Sequence, residues 1–139
     1  MRKLLVITAL LLFAGISFGQ TLKSGSIVAV HHYKMVPKPD VTFNQCMDFM
    51  ENTYKPEFEK AFPGTTIVNL VGERGEFKFS YAAMVIFDSM ETRDKYFPVE
   101  GQGGANWTEE QQKTWQKMNE EIGKLTLEMA STYTDWKVL

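Results

Sequence analysis

The stretch Gly75–Pro98, GEFKFSYAAMVIFDSMETRDKYFP, decides the fold of this chain. Its first half, Phe77 to Phe87, is rich in aromatic and β-branched residues and has apolar side chains on both of its alternating sets. A strand that is apolar on both sides is typical of the middle of a sheet covered on both faces. We therefore expect Phe77–Phe87 to be a central strand, with helices of its own chain over one face and a partner subunit over the other.

The N-terminal residues 1–19 have the pattern of a secretory signal peptide. Arg2 and Lys3 precede a short apolar run, Leu4–Phe13, and small residues lead to the expected cut. The run is too short to span a bilayer comfortably, and no later segment approaches the length of about 20 apolar residues that a span needs. An uncleaved anchor is the alternative, and the lack of a Cys near the cut argues against a lipid anchor. We predict an exported protein, secreted or periplasmic, with one domain over residues 20–139.

The charge balance argues against nucleic acid or an anionic membrane surface as a partner. The chain has 15 Lys and Arg against 17 Asp and Glu, and removal of Arg2 and Lys3 with the signal peptide leaves 13 against 17. Phosphate binding needs a basic surface, which this composition does not offer.

Cys46, the only cysteine, cannot form a disulfide within the chain. We expect Cys46 to lie on a helix and to be buried in the hydrophobic core, with an intermolecular disulfide or a reactive thiol as alternatives.

The remaining segments alternate between strand and helix signals. Thr42 with Gln45 and Thr108 with Gln111 are capping-box patterns that mark two helix starts. Pro56 should kink or restart the first of these helices. The predicted elements are a strand Ser26–Val36, a helix from Thr42 to Phe62, a strand Thr65–Val71, a tight turn Gly72–Gly75, the strand Phe77–Phe87, a short helix Met90–Tyr96, a long helix from Thr108 to about Ala130, and a strand Thr132–Leu139.

This order, β-α-β-β-α-β with one short additional helix, predicts an α+β protein of ferredoxin-like plan. Short right-handed crossovers make the first and third strands central neighbours in a four-stranded antiparallel sheet. Both long helices then lie on one face of the sheet. The other face needs a cover, and we expect a second copy of the chain to provide it.

The whole mature chain resembles the dimeric α/β-barrel superfamily in the order and residue pattern of several segments. The segments are VAVHHYKM (28–35), YKPEFEKAF (54–62), VGERGEFKF (71–79), MVIFDSMETRDKYFP (84–98) and YTDWKVL (133–139). That superfamily includes antibiotic-biosynthesis-type monooxygenases, NIPSNAP-like and stress-responsive barrel proteins, haem-degrading enzymes and small isomerases. The resemblance implies a homodimer whose two sheets pack face to face into a barrel, with ligand clefts between sheet and helices. The haem degraders carry an iron-ligating His on a helix, and no predicted helix here contains a His, so no cofactor is expected.

His31 and His32 are the only histidines, and both lie in the predicted first strand. Adjacent strand residues point to opposite faces, so the pair cannot bind one metal ion together. The sequence has no Cys/His cluster, and no metal site is expected. A lone His in a cleft can act as a general base or polarise a phenol or enol, whereas a core His bonded to Tyr or backbone is the alternative. Which of the two faces the cleft stays open.

Tyr33 and Tyr81 belong to the same alternating set as His31, so phenols and an imidazole could surround an apolar pocket that methionines adapt to its ligand. Trp107 either closes the cleft or packs at a helix start. Three functions are open: binding of a small apolar or aromatic ligand, cofactor-independent catalysis as a monooxygenase, cyclase or isomerase, and a non-catalytic envelope interaction module. Whether the protein is an enzyme stays open. The candidate residues are His31, His32 and Tyr81 for catalysis and Tyr33, Phe79, Met47, Met50, Trp107 and Trp115 for ligand binding.

Overall fold

The computed structural model describes residues 22–98 and 103–139, so the predicted signal peptide lies outside the described residues. No helix in these two ranges is long and apolar enough to cross a bilayer. The elements are β1 (Ile27–Pro37), α1 (Phe43–Phe49), a π-helical turn (Met50–Tyr54), α2 (Lys55–Ala61), β2 (Thr65–Val71), β3 (Tyr81–Phe87), α3 (Met90–Tyr96), α4 (Glu109–Leu125) and β4 (Thr126–Lys137).

The four strands form one antiparallel sheet in the order β2-β3-β1-β4. β1 and β3 are therefore the central neighbours, as the sequence predicts. Together with the helices between β1 and β2 and between β3 and β4, this order confirms the ferredoxin-like α+β fold.

The core lies between the sheet and the helices. Ile27, Ala29 and the alternate residues of β3 from Tyr81 to Phe87 are buried on this side. Phe62, at the end of α2, is fully buried, and its ring lies 4.7 Å from that of Phe58 and 5.0 Å from that of Trp107. This one side chain therefore joins α2 to the segment that leads into α4.

Pro56 does not interrupt the helix that contains it. As a proline it has no N–H for the carbonyl of Asn52, four residues earlier, and in a regular α-helix its ring would clash with that carbonyl. The chain widens into a π-helical turn directly before Lys55, whose N–H donates to the carbonyl of Met50. Of the two predicted outcomes, a kink or a restart, the structure has the restart: after the wide turn, α2 begins at Lys55 with Pro56 in its first turn.

The predicted strand Phe77–Phe87 is wrong in its first four residues. β3 starts at Tyr81, and residues 72–80 form a loop in which the Lys78 N–H donates to the Gly75 carbonyl. Phe79 is 72% exposed and has a φ of 64°, a left-handed conformation that no strand residue adopts. The pairing of β2 with β3 ends at Val71 and Tyr81, so the apolar residues beyond have no partner strand.

The last helix ends earlier than predicted. α4 stops at Leu125, and β4 begins at once with Thr126, whose hydroxyl donates to the Ile122 carbonyl at 3.0 Å. Met129, which fits the helical spacing of the α4 apolar stripe, instead pairs with Met35 of β1. The long edge that β1 offers decides the conformation of this segment, because strand pairing outweighs local helix propensity.

Two phenylalanines test this division between core and loop. We expect Phe62→Ala to lower the free energy of unfolding by about 3–5 kcal/mol, because it leaves a cavity in a packed core. Phe79→Ala, the matched control, should change it by less than about 0.5 kcal/mol, because the ring is solvated. Urea unfolding followed by circular dichroism measures both, and equal effects would show that the loop assignment is wrong.

Candidate functional site

A cleft of about 1720 Å³ opens between the helix-facing side of the sheet and α4. Its floor is formed by the central strands. Its walls come from α4, the π-helical turn and the segment that starts at Gly103. The aromatic residues that line it include His31, Tyr33, Tyr54, Tyr81, Trp107 and Trp115.

A row of four rings crosses the floor of the cleft. The strand register places Tyr133 of β4 opposite His31 of β1, and Tyr81 of β3 opposite Tyr33 of β1. Ring centroids are 5.0 Å apart for Tyr133 and His31, 5.8 Å for His31 and Tyr33, and 5.0 Å for Tyr33 and Tyr81, with interplanar angles of 25° or less. We call these four residues the aromatic row.

His31 is the histidine that faces the cleft. Its Nδ1 is buried and has no hydrogen-bond partner among the described residues. Burial lowers the pKa of His31 from its ordinary 6.5, and the charge of Asp135 opposes this only in part. The ring is therefore neutral at neutral pH. His32 points to the opposite face of the sheet, where its ring lies 5.0 Å from that of Phe77.

Tyr81 belongs to a hydrogen-bond network that the sequence did not reveal. Its hydroxyl donates to Asn69 Oδ1 at 2.7 Å. Asn69 Nδ2 donates to Glu51 Oε2 at 2.7 Å and to the Met50 carbonyl at 3.3 Å. Lys55 Nζ then pairs with Glu51 at 3.0 Å. The only sequence signal for Asn69 is a polar residue in the helix-facing set of an otherwise apolar strand.

Tyr33 and Tyr54 are two further phenols that line the cleft. Neither Tyr33 nor Tyr54 forms a hydrogen bond with any described residue. Burial raises the pKa of Tyr33 to about 12. It raises the pKa of Tyr54 further, with added contributions from Tyr33 and Tyr81. Both phenols are therefore protonated at physiological pH and can donate hydrogen bonds.

An ion-pair cluster lies at the β4 side of the cleft. Arg93 of α3 donates from Nη1 to Asp135 of β4 and from Nε to Asp94 at 2.6 Å. Among the described residues that line the cleft, Arg93 is the only Lys or Arg side chain. Because two carboxylates already engage it, this arginine is not free for an anionic ligand.

The other predicted ligand-binding residues divide between cleft, core and surface. Met50 and Trp115 line the cleft, whereas Met47 is half-buried in the core and does not. Phe79 lies on the exposed loop, away from the cleft. Trp107 lines the cleft, packs on Phe62 and donates from Nε1 to the Tyr96 carbonyl at 2.7 Å.

Cys46 is fully buried, as predicted, and burial raises the pKa of its thiol. Within residues 22–98 and 103–139, no three His, Cys, Asp or Glu side chains lie close enough together to hold a metal ion. The cleft therefore offers aromatic stacking, neutral hydrogen-bond donors and one neutral imidazole.

Comparison with protein-family models and with curated proteins finds no match for the sequence. Among solved structures, the chain is similar to SnoaB, a cofactor-independent oxygenase from Streptomyces nogalater: 12% identity, 84% of this chain and 95% of that chain covered, TM-score 0.48. It is also similar to a dimeric protein of unknown function and ferredoxin-like fold from Bacteroides fragilis, with 13% identity, 82% of this chain and 97% of that chain covered, and a TM-score of 0.44. A third similar structure is an ethyl tert-butyl ether D (EthD) family protein from Bacillus halodurans, with 14% identity, 82% of this chain and 99% of that chain covered, and a TM-score of 0.46. The fold assignment itself rests on the strand order of this chain.

The lowered pKa of His31 predicts a pH dependence of stability. Below pH 6.5 the unfolded chain takes up a proton on this residue before the folded protein does. The free energy of unfolding should therefore fall as the pH drops from about 7 through 6.5 towards the lowered pKa. Urea unfolding at a series of pH values should show this loss reduced in His31→Gln and retained in His32→Gln, which keeps His31. Identical pH profiles for His31→Gln and the wild type would contradict the burial of this imidazole.

Proposed function

We propose that the protein is an exported homodimer that binds a small, planar, uncharged aromatic ligand in the cleft between sheet and helices. The aromatic row is the single observation that carries this proposal. Its four rings lie nearly parallel, and the half-buried rings of His31, Tyr33 and Tyr133 border an open volume, with the fully buried Tyr81 at one end of the row. Flat π-systems gain both apolar burial and offset stacking on such a wall.

The side of the cleft facing the aromatic row favours the same ligand. Trp107 and Trp115 stand 5.3 Å apart, edge to face, so a flat molecule on the row would meet indole rings on another side. Large aromatic side chains on two sides of a concave site are typical of pockets that bury most of a small apolar ligand.

The charges around the cleft favour an uncharged ligand. Arg93 is engaged by Asp94 and Asp135, and the Glu51 carboxylate near Tyr81 is paired with Lys55. An anionic ligand would find no unpaired cation among the described lining residues, and burial of an unpaired charge is costly.

Gly123 of α4 provides a direct test of ligand binding. It lines the cleft, and a Cβ built there meets no atom within 4 Å. We expect naphthalene to bind the wild type and Gly123→Ala, but to bind Gly123→Phe at least about tenfold more weakly, because the new ring occupies the cleft. Ligand-detected NMR measures the three dissociation constants.

Gly123→Ala is the matched control for the backbone change. It should raise the free energy of unfolding by up to about 1 kcal/mol, because Ala is the better helix former, and leave binding intact. Equal affinity of the Phe and Ala variants for naphthalene would place the ligand elsewhere. No binding by the wild type would refute the proposed function.

The homodimer is proposed from the side of the sheet that faces away from the helices, which we call the open face. Trp136 is 60% exposed there, and Lys34 pairs with Glu128 at 3.0 Å on its rim. An apolar centre with a polar rim suits a two-fold interface in which one open face covers another. The apolar residues of the open face in the strand register are Val28, Val30, Val36, Val68, Leu70, Ala82, Met84, Ile86 and Trp136.

A charge placed on the open face tests the dimer. We expect the wild type to sediment as a dimer at micromolar concentration and Met84→Lys as a folded monomer, because the interface would bury an unpaired ammonium group. Asn44→Lys, on the exposed side of α1, adds the same charge and should remain dimeric. A monomeric wild type would show that a second copy does not cover this face.

A second candidate is cofactor-independent catalysis with His31 as the base. Its neutral ring lines the cleft and forms no hydrogen bond with a described residue, which favours proton abstraction from a bound phenol or enol. Oxygen uptake with aerated 1-naphthol that is lost in His31→Gln would distinguish catalysis from binding alone. The open cleft argues against a purely structural envelope module, for which we would expect side chains to fill this space.

A further inference from the structure

We propose that the hydroxyls of Tyr33 and Tyr54 donate hydrogen bonds to a carbonyl oxygen of the aromatic ligand. Tyr81 takes no part, because its hydroxyl already donates to Asn69. The ligand would then be a planar aromatic carbonyl compound. This inference rests on the proposed function and adds to it the group by which the ligand is recognised.

The orientation of the Asn69 amide is fixed by two acceptors. Its Nδ2 group has two protons, one directed to Glu51 Oε2 at 2.7 Å and one to the Met50 carbonyl at 3.3 Å. A flipped amide would place its oxygen against two acceptors that have no proton to offer. Oδ1 must therefore face Tyr81 and accept its hydroxyl proton at 2.7 Å.

The π-helical turn provides the second of these acceptors. The Met50 carbonyl accepts the Lys55 N–H of the wide turn and also the Asn69 amide proton. The same turn ends at Tyr54, so the feature that accommodates Pro56 also determines where this phenol enters the cleft. Turns of this kind occur frequently at functional sites.

Apart from Tyr133 at the other end of the aromatic row, Tyr33 and Tyr54 are the cleft phenols left with protons to donate. Both line the cleft, and neither hydroxyl has a hydrogen-bond partner among the described residues. Tyr33 stacks on Tyr81 at 5.0 Å. Tyr54 belongs to the π-helical turn whose Met50 carbonyl accepts from Asn69, the partner of Tyr81, so this turn also lies beside Tyr81. Their raised pKa values keep both donors protonated.

A carbonyl oxygen satisfies these donors better than a carboxylate does. Two O–H groups need an acceptor, and one carbonyl oxygen has two lone pairs. A carboxylate in the same place would lie near Glu51, whose charge already opposes the ionisation of Tyr81. A neutral acceptor avoids this repulsion.

Chromone and naphthalene are a suitable pair of probes, because both have two fused six-membered rings and only chromone has a carbonyl group. We expect the wild type to bind chromone more tightly. Tyr33→Phe and Tyr54→Phe should each weaken chromone about fivefold, the effect of one hydrogen bond, and leave naphthalene unchanged. Tyr81→Phe should leave the ratio of the two dissociation constants unchanged, because the Tyr81 hydroxyl already donates to Asn69.

The affinity for naphthalene also shows whether each variant keeps an intact cleft, because a structural disturbance of the cleft would weaken the binding of naphthalene as well as that of chromone. A wild type that binds both probes equally, or a Tyr81→Phe variant that loses the chromone preference as Tyr33→Phe does, would overturn the inference and leave the proposed function standing. If neither probe binds the wild type, the proposed function fails and the inference with it. If Tyr81→Phe does not fold, the response of Tyr33→Phe and Tyr54→Phe decides the outcome.

Discussion

The antiparallel pairing of β1 with β3 is the constraint on which the rest of the structure depends. It places Tyr33 opposite Tyr81 and His31 opposite Ala83, so that one face of the sheet collects the rings and the buried core residues. A shift of one residue would send every one of these side chains to the open face. The register of a single strand pair therefore fixes the core, the cleft and the side of the sheet left for a second copy.

Pro56 links local backbone chemistry to the site. A proline inside a helix usually costs about 3 kcal/mol, and here the π-helical turn accommodates it. The turn leaves the Met50 carbonyl able to accept from Asn69, and Asn69 in turn orients the Tyr81 hydroxyl. A backbone irregularity thus becomes a means of deciding which phenols in the cleft keep a free proton.

The predicted and observed elements differ where chain-distant pairing overrides local pattern. Phe77 and Phe79 have the composition of a strand, but β2 ends at Val71 and gives them no partner, so they lie in a loop. Met129 has helical spacing, yet it pairs with Met35 because β1 is long enough to extend the sheet. Of the cleft residues, the sequence placed His31, Tyr33 and Tyr81 on one alternating set by their period of two, and it named Met50, Trp107 and Trp115 as candidates, but it left open which histidine faces the cleft. It could not predict Tyr54 and Arg93, which line the cleft, or Asn69, which accepts from Tyr81, because these positions depend on tertiary contacts.

The sequence by itself determined the order of elements, the strand order, the capped helix starts and the separation of the two histidines onto opposite faces. These features follow from side-chain periodicity and backbone stereochemistry, which act within a few residues. Only the tertiary structure decided which histidine faces the cleft, which tyrosine hydroxyl donates a hydrogen bond within the protein, and where β3 and β4 begin. Those outcomes depend on strand register and on side chains that lie far apart along the chain, such as Asn69 and Glu51, and no local pattern specifies them.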